Sequence, residues 1–218
     1  MRMTDQRLFG ARYGFGVVQP FFKMSADLGV NTPIGPLEFE ADLFRQADTQ
    51  FLPLILQWDL SRNLFVNTQF QIQAPTGDYD KNRLISPGLN HWTFSPIVNA
   101  TYISDTGFEV SSSFQVDVNT RNPDTHYKNG VEYRHEFAVG QHFGPWTAGL
   151  GGYYYRQLSD DDAPNLTRGN RAGVMALGPA ISYIAPGLPP LWLHLYKEFD
   201  AHNRAEGYTA ALRVSYSF

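Results

Sequence analysis

Along most of this chain apolar and polar side chains alternate one for one, and the alternating segments are parted by links of alternately short and long length. A β-strand sends successive side chains to opposite faces, so each such segment has one oily and one wet row. In residues 207–218, Tyr208, Ala210, Leu212, Val214, Tyr216 and Phe218 oppose Thr209, Ala211, Arg213, Ser215 and Ser217. In 64–73, Val66, Phe70 and Ile72 oppose Asn67, Gln69, Gln71 and Gln73. In 108–118, Phe108, Val110, Phe114, Val116 and Val118 oppose Glu109, Ser111, Ser113, Gln115 and Asp117. Tyr133, Phe137 and Val139 oppose Glu132, Arg134, Glu136 and His142. Leu191, Leu193 and Leu195 oppose Trp192, His194 and Tyr196, while Leu54, Leu56, Trp58 and Leu60 oppose Gln57 and Asp59. The pattern fades in 146–157 and 171–184, which are rich in Gly and Ala, and no helical period of useful length appears.

The links carry the second half of the constraint. Short ones fall at 61–63, 104–107, 144–145 and 185–189, and longer polar ones at 29–50, 74–91, 119–129, 158–170 and 200–206. Outer-membrane barrels alternate in this way, with short periplasmic turns and longer extracellular loops. The apolar stretch 51–56 is broken by Pro53, and nothing approaches the roughly 20 residues of a transmembrane helix. A membrane protein without such helices must be a closed barrel, because every backbone polar group needs a partner inside lipid. Charged residues are 17% of the chain, below the roughly 25% of soluble domains. Aromatic residues reach 15%, with 16 Phe and 12 Tyr, as two interfacial girdles would require. The expected fold is therefore all-β: an antiparallel up-and-down transmembrane β-barrel of about ten strands. Residues 1–218 would form a single domain with both ends on the periplasmic side of the bacterial outer membrane. The alternative is a soluble sandwich or a lipocalin-like barrel with its apolar face inward. Against it, the polar rows are Gln, Asn, Ser, Thr and mixed Glu and Arg, with Lys nearly absent, which suits a narrow wet lumen.

Several segments resemble the family named for the meta-pathway of phenol degradation. They are 74–80 (APTGDYD), 88–92 (GLNHW), 119–127 (NTRNPDTHY), 151–157 (GGYYYRQ), 176–179 (ALGP) and 203–207 (NRAEG), in order from residue 74 onward. The resemblance implies an outer-membrane barrel, associated with aromatic catabolism, that passively admits small hydrophobic or aromatic compounds. Members usually begin with a signal peptide and one or two further strands before the region matching 15–60. The N-terminus MRMTDQRLFGARYGF has no apolar signal core, so a shortened chain is expected, and a complete barrel would have about twelve strands. Tyr216 and the terminal Phe218 resemble the signal that barrel-assembly machinery reads.

The polar rows supply the candidate site. Gln69, Gln71, Gln73, Glu109, Gln115, Asp117, Glu132, Arg134, Glu136, His194, Glu198 and Arg213 are expected to line the lumen. There the charges should pair across strands, because an unpaired buried charge is costly, with Arg213 reaching toward Glu132, Glu136 or Glu198. Such charges either plug the lumen or set the selectivity of a pore. Tyr79, Trp92 and Phe94 are candidate rim aromatics, forming an aromatic mouth or an ordinary interfacial girdle. The Gly-rich stretches at 149–152 and 169–178 suggest a thin wall with a lateral exit. Asp78, Asp80, Asp160, Asp161 and Asp162 lack the spacing of a calcium loop, so no metal site is assigned. His135 and Glu136 point to opposite faces, and His194 and Glu198 lack a nucleophile of fitting context, so no catalytic residue is expected. With no Cys there is neither disulfide nor thiolate metal site, and no cofactor is implied. A net charge of −4 argues against nucleic acid. The expected partners are membrane lipid, lipopolysaccharide, the barrel-assembly machinery and a small hydrophobic solute. The other readings are a closed-lumen barrel that binds a surface partner and a phospholipase-type enzyme.

Overall fold

The alternation is realised as thirteen antiparallel strands in a computed structural model that describes residues 1–32, 35–164, 166 and 170–216. They are β1 (Arg2–Leu8), β2 (Ala11–Val18), β3 (Phe21–Thr32), β4 (Gly35–Gln46), β5 (Thr49–Asp59), β6 (Leu64–Ala74) and β7 (Thr93–Ile103). There follow β8 (Phe108–Asn119), β9 (Glu132–Phe143), β10 (Trp146–Gln157), β11 (Gly173–Tyr183), β12 (Leu191–His202) and β13 (Tyr208–Val214). No helix of the chain is long and apolar enough to cross a membrane.

Eleven strands form one sheet in the order β1-β2-β5-β6-β7-β8-β9-β10-β11-β12-β13, and β3 and β4 pair separately. The expected count of about ten is thus too low. The segment 29–50, expected as a link, is largely the β3–β4 hairpin, and 2–8 forms a strand although it has no apolar row. Two further expectations are corrected. The sheet is not closed, because β1 and β13 are edges that do not pair with each other among the described residues. The ends also do not share a side: β1 runs toward the short turn at Phe9 and Gly10, so Arg2 lies on the long-loop side, while β13 runs out at the short-turn side. An odd number of strands in the sheet makes this unavoidable.

The sheet is nevertheless strongly curled. Asn99 and Thr101 on β7 and Thr209 and Ala211 on β13 line one cavity of about 410 Å³. Six strand spacings on a flat sheet would hold those residues roughly 29 Å apart. The polar rows are therefore inside the curve and the apolar rows outside. Phe114, Val118, Val139, Leu150, Leu177 and Leu193 are all exposed on that outer surface. This overturns the lipocalin-like alternative, which needs the apolar row inward. Each such side chain gains roughly 1.5–3 kcal/mol on leaving water, so a surface of this kind belongs in lipid.

Local chemistry shapes both wall and turns. Gly144 takes a φ of 59° ahead of Pro145, which lets two residues join β9 to β10. On β10, a Cβ at Gly151 would lie 2.5 Å from the Tyr196 hydroxyl, so the glycine makes room for the Tyr196 ring to lie across the wall. At Gly151 the wall is thus covered from inside by an aromatic side chain.

Candidate functional site

Cross-strand register gathers the wet residues on one inner face. Gln69 faces Ile97, which faces Gln115, then Arg134, Tyr155 and Val174 on successive strands. Asp117 faces Glu132, and Glu136 faces both Ser113 and Tyr153. Glu198 faces Ala176, His194 faces Ala180 and Ala211, and Arg213 faces Trp192. Gln71 and Gln73 face Ser95 and Thr93, and Glu109 faces Gly140. All twelve residues expected on the lumen row share this face.

The register also selects the ionic partners. Arg134 Nε lies 2.9 Å from Asp117 Oδ2, at an angle that makes it an ion pair rather than a good hydrogen bond. Its Nη2 donates to Glu132 Oε2 at 3.2 Å. Asp117 is only 2% exposed, and its other oxygen accepts from Ser95 Oγ at 2.5 Å and Gln115 Nε2 at 2.7 Å. One guanidinium thus holds two carboxylates, with Tyr155 beneath it at 5.7 Å. Glu198 accepts from the Tyr153 hydroxyl at 2.5 Å, Arg204 at 2.9 Å and the Gly207 amide at 2.9 Å. Arg204 also stands over the Tyr155 ring, at 5.6 Å. The expectation for Arg213 is corrected: its guanidinium sits over Trp192 at 5.4 Å, on its own cross-strand neighbour, and away from the glutamates. Glu109 pairs with His142 at 2.7 Å, and His194 stacks on Tyr196 at 5.4 Å.

Along this face five cavities share lining residues in sequence. A loop cavity of about 410 Å³ meets one of about 130 Å³ at Leu89, His91 and Asn129. The smaller one meets a cavity of about 580 Å³ at Glu132 and Arg134. That in turn shares Glu136 and Tyr153 with the cavity of about 410 Å³ between β7 and β13. His194 and Ala138 link the latter to a last one of about 110 Å³ beside Glu109 and Trp192. The sequence runs from the long loops to the short turns, with its two smallest members at the Asp117–Arg134–Glu132 cluster and beside Trp192.

The long loops are tied to one another above this path. Asp48, 3% exposed, accepts from the Gly77 amide at 2.9 Å, the Leu89 amide at 2.8 Å and Gln73 at 3.2 Å. Asp78 takes a two-point contact from Arg83, at 2.7 and 3.1 Å, and lies 3.2 Å from Arg45 on β4. The Arg83 hydrogen bonds above all, with the charges of Arg83 and Arg45, hold Asp78 below its ordinary value against the opposing effect of burial. Asp161 accepts from the Tyr127 hydroxyl, Gln157 and the Gly130 amide, Asp162 pairs with Arg121, and Asp160 with Arg171. Burial and then the Asp161 contact push Tyr127 up. Asp80 accepts from the Asn82 amide at 2.9 Å, so the five aspartates of 78–80 and 160–162 are occupied separately, and among the described residues no group of three metal-ligating side chains converges.

The rim aromatics are divided. Trp92 and Phe94 are exposed, Phe94 stacking 6.5 Å from Phe70 on the outer surface, while Tyr79 lines the loop cavity with Tyr127. Tyr216 is exposed beyond β13, and Phe218 lies outside the described residues. Sequence reasoning left out Arg204, Tyr153, Tyr155 and Ser95. Arg204 sits in a link, where no period marks a direction. The tyrosines lie on the wet row of 151–157, and they pass for lipid-facing residues when aromatic character alone is counted.

An oily outer surface, a wet inner path and loops gathered at one end describe a channel fold. A family described as "Putative MetA-pathway of phenol degradation" matches residues 1–214. The chain belongs to this family. Its fold is also that of the COG4313 outer membrane channel from Pseudomonas putida F1, with a TM-score of 0.69 at 13% sequence identity. The similarity covers 94% of this chain and 82% of that one, so the phenol-degradation family member has the architecture of an outer-membrane protein. No curated protein matches the chain's sequence.

Proposed function

We propose that this phenol-degradation family protein is a passive channel of the bacterial outer membrane for small hydrophobic or aromatic compounds. It is not an enzyme in this reading. The observation that supports it is the run of cavities along the inner face, each sharing residues with the next, from Tyr79 and Tyr127 at the loops to Trp192 at the turns. Tyrosine rings along that run offer apolar faces to an aromatic solute. Lipid and lipopolysaccharide surround the outer row, and the barrel-assembly machinery inserts the chain. Proteoliposomes containing the folded protein should take up phenol-sized solutes faster than empty vesicles. No acceleration for any aromatic solute tested would overturn the reading.

A structural protein of the outer membrane with a shut lumen, whose loops bind a surface partner, is the second reading, favoured by the ties among the long loops through Asp48, Asp161 and Asp162. Silence in single-channel recordings, together with binding that is lost when residues 120–131 are replaced, would establish it instead.

A further inference from the structure

In the widest cavity every cation is committed and one carboxylate is not. Arg134 is held by Asp117 and Glu132, and Arg204 by Glu198. Glu136, which belongs to both this cavity and the next, has neither hydrogen bond nor ion pair among the described residues. Four carboxylates, those of Asp117, Glu132, Glu136 and Glu198, therefore meet two guanidiniums, and the passage is negative at its middle. An aromatic carboxylate entering it would have to displace Asp117 or Glu132 from Arg134, and it would still face Glu136. A cation meets the opposite situation. Glu136 has its charge to offer, and the Tyr153 ring opposite presents the electron-rich kind of surface on which Tyr155 already carries guanidiniums.

We propose that Glu136 is the specificity-determining residue of the passage and makes it select cations over anions, organic ammonium ions over aromatic carboxylates of the same size. Charged side chains lining a pore set selectivity in this way because they replace, or fail to replace, the hydration a passing ion gives up. The inference rests on the channel reading above.

Planar bilayers holding the full chain under a KCl gradient test it. The reversal potential should show K⁺ favoured over Cl⁻ by about thirtyfold, because a single charge at about 4 Å in a water-like dielectric favours the cation and disfavours the anion by about sixfold each. Benzylammonium against benzoate should show the same sign. E136Q, which keeps size and shape, should lower both ratios at near-normal conductance, and E136K, which leaves three carboxylates against three cations, should bring them close to one. Heat-modifiable migration of each variant establishes that it has folded. An anion-selective wild-type protein, or E136Q and E136K with unchanged ratios, would overturn the role of Glu136 and leave the channel standing. A folded protein that conducts nothing would overturn the channel reading itself, and this inference with it.

Discussion

The long-loop half and the short-turn half of this protein are built by different means. The buried polar residues of the described chain are Asp48, His91, Thr93, Ser95, Asp117, Asn119, Asn122, Glu132, Gln157 and Glu198, and every one lies in the long-loop half. The short-turn half relies on its backbone ladder, tight turns and exposed ion pairs such as Arg62–Asp105 and Arg12–Asp59. A buried polar group is costly until its partners are in place, so a network of them fixes one geometry. Rigidity is therefore concentrated where the inner face meets the long loops. The ladder elsewhere has only to span the lipid.

The largest effect should come from breaking the network at its centre. Arg134→Gln leaves Asp117 buried without its cation and should lower stability by roughly 2–4 kcal/mol, discounted because the arginine is half exposed. Urea unfolding in micelles, followed by tryptophan fluorescence, measures this. A change below about 0.5 kcal/mol, the scale of an ordinary surface substitution, would mean that the two halves do not differ as described.

Asp48→Asn comes next. It weakens two charge-assisted contacts to backbone amides at the base of the 75–92 loop and should cost roughly 1.5–3 kcal/mol. Limited proteolysis should show cleavage within that loop before the strands are cut. In the other half, Glu109→Gln removes a partly exposed pair with His142 and should change stability by less than about 1 kcal/mol, and by less still in high salt. A larger loss there would erase the contrast.

The smallest effect is a local one with pH. Arg83 and Arg45 hold Asp78 below its unfolded value, so their contribution is present above the usual carboxylate range and is lost as pH falls through the folded value. Acidification should therefore loosen the 75–92 loop from β4 while the sheet persists. Asp78→Asn should show the loosened loop already at neutral pH, with no further change on acidification.

Much of the wall was legible in the sequence. The rows 64–73, 108–118 and 191–196 predict which residues face out and which in, and the register bears out those faces. The β3–β4 hairpin was missed because Gly29, Pro33, Gly35 and Pro36 read as a loop, although Glu38, Glu40 and Asp42 alternate with Phe39, Ala41 and Leu43. Its base carries Phe21 and Phe44, 56% and 60% exposed and stacked at 6.1 Å, which a reading of 29–50 as polar loop does not suggest. Edge status was equally invisible, since the last strand has the same alternation whether or not it finds a partner. The ion pairs were only half legible: the sequence shows that Arg134 and Asp117 share a face, but their contact depends on how β8 and β9 are aligned.

Side-chain direction along a strand is set by the backbone two residues at a time, so the sequence by itself determined an oily surface, a wet interior and a chain that crosses lipid on strands. Which charges meet depends on strand register and on the curl that brings β7 toward β13, both set between residues far apart in the chain. That is why the commitment of Arg134 to Asp117 and Glu132, the inward turn of Arg204 and the solitary charge of Glu136 were decided only by the tertiary structure.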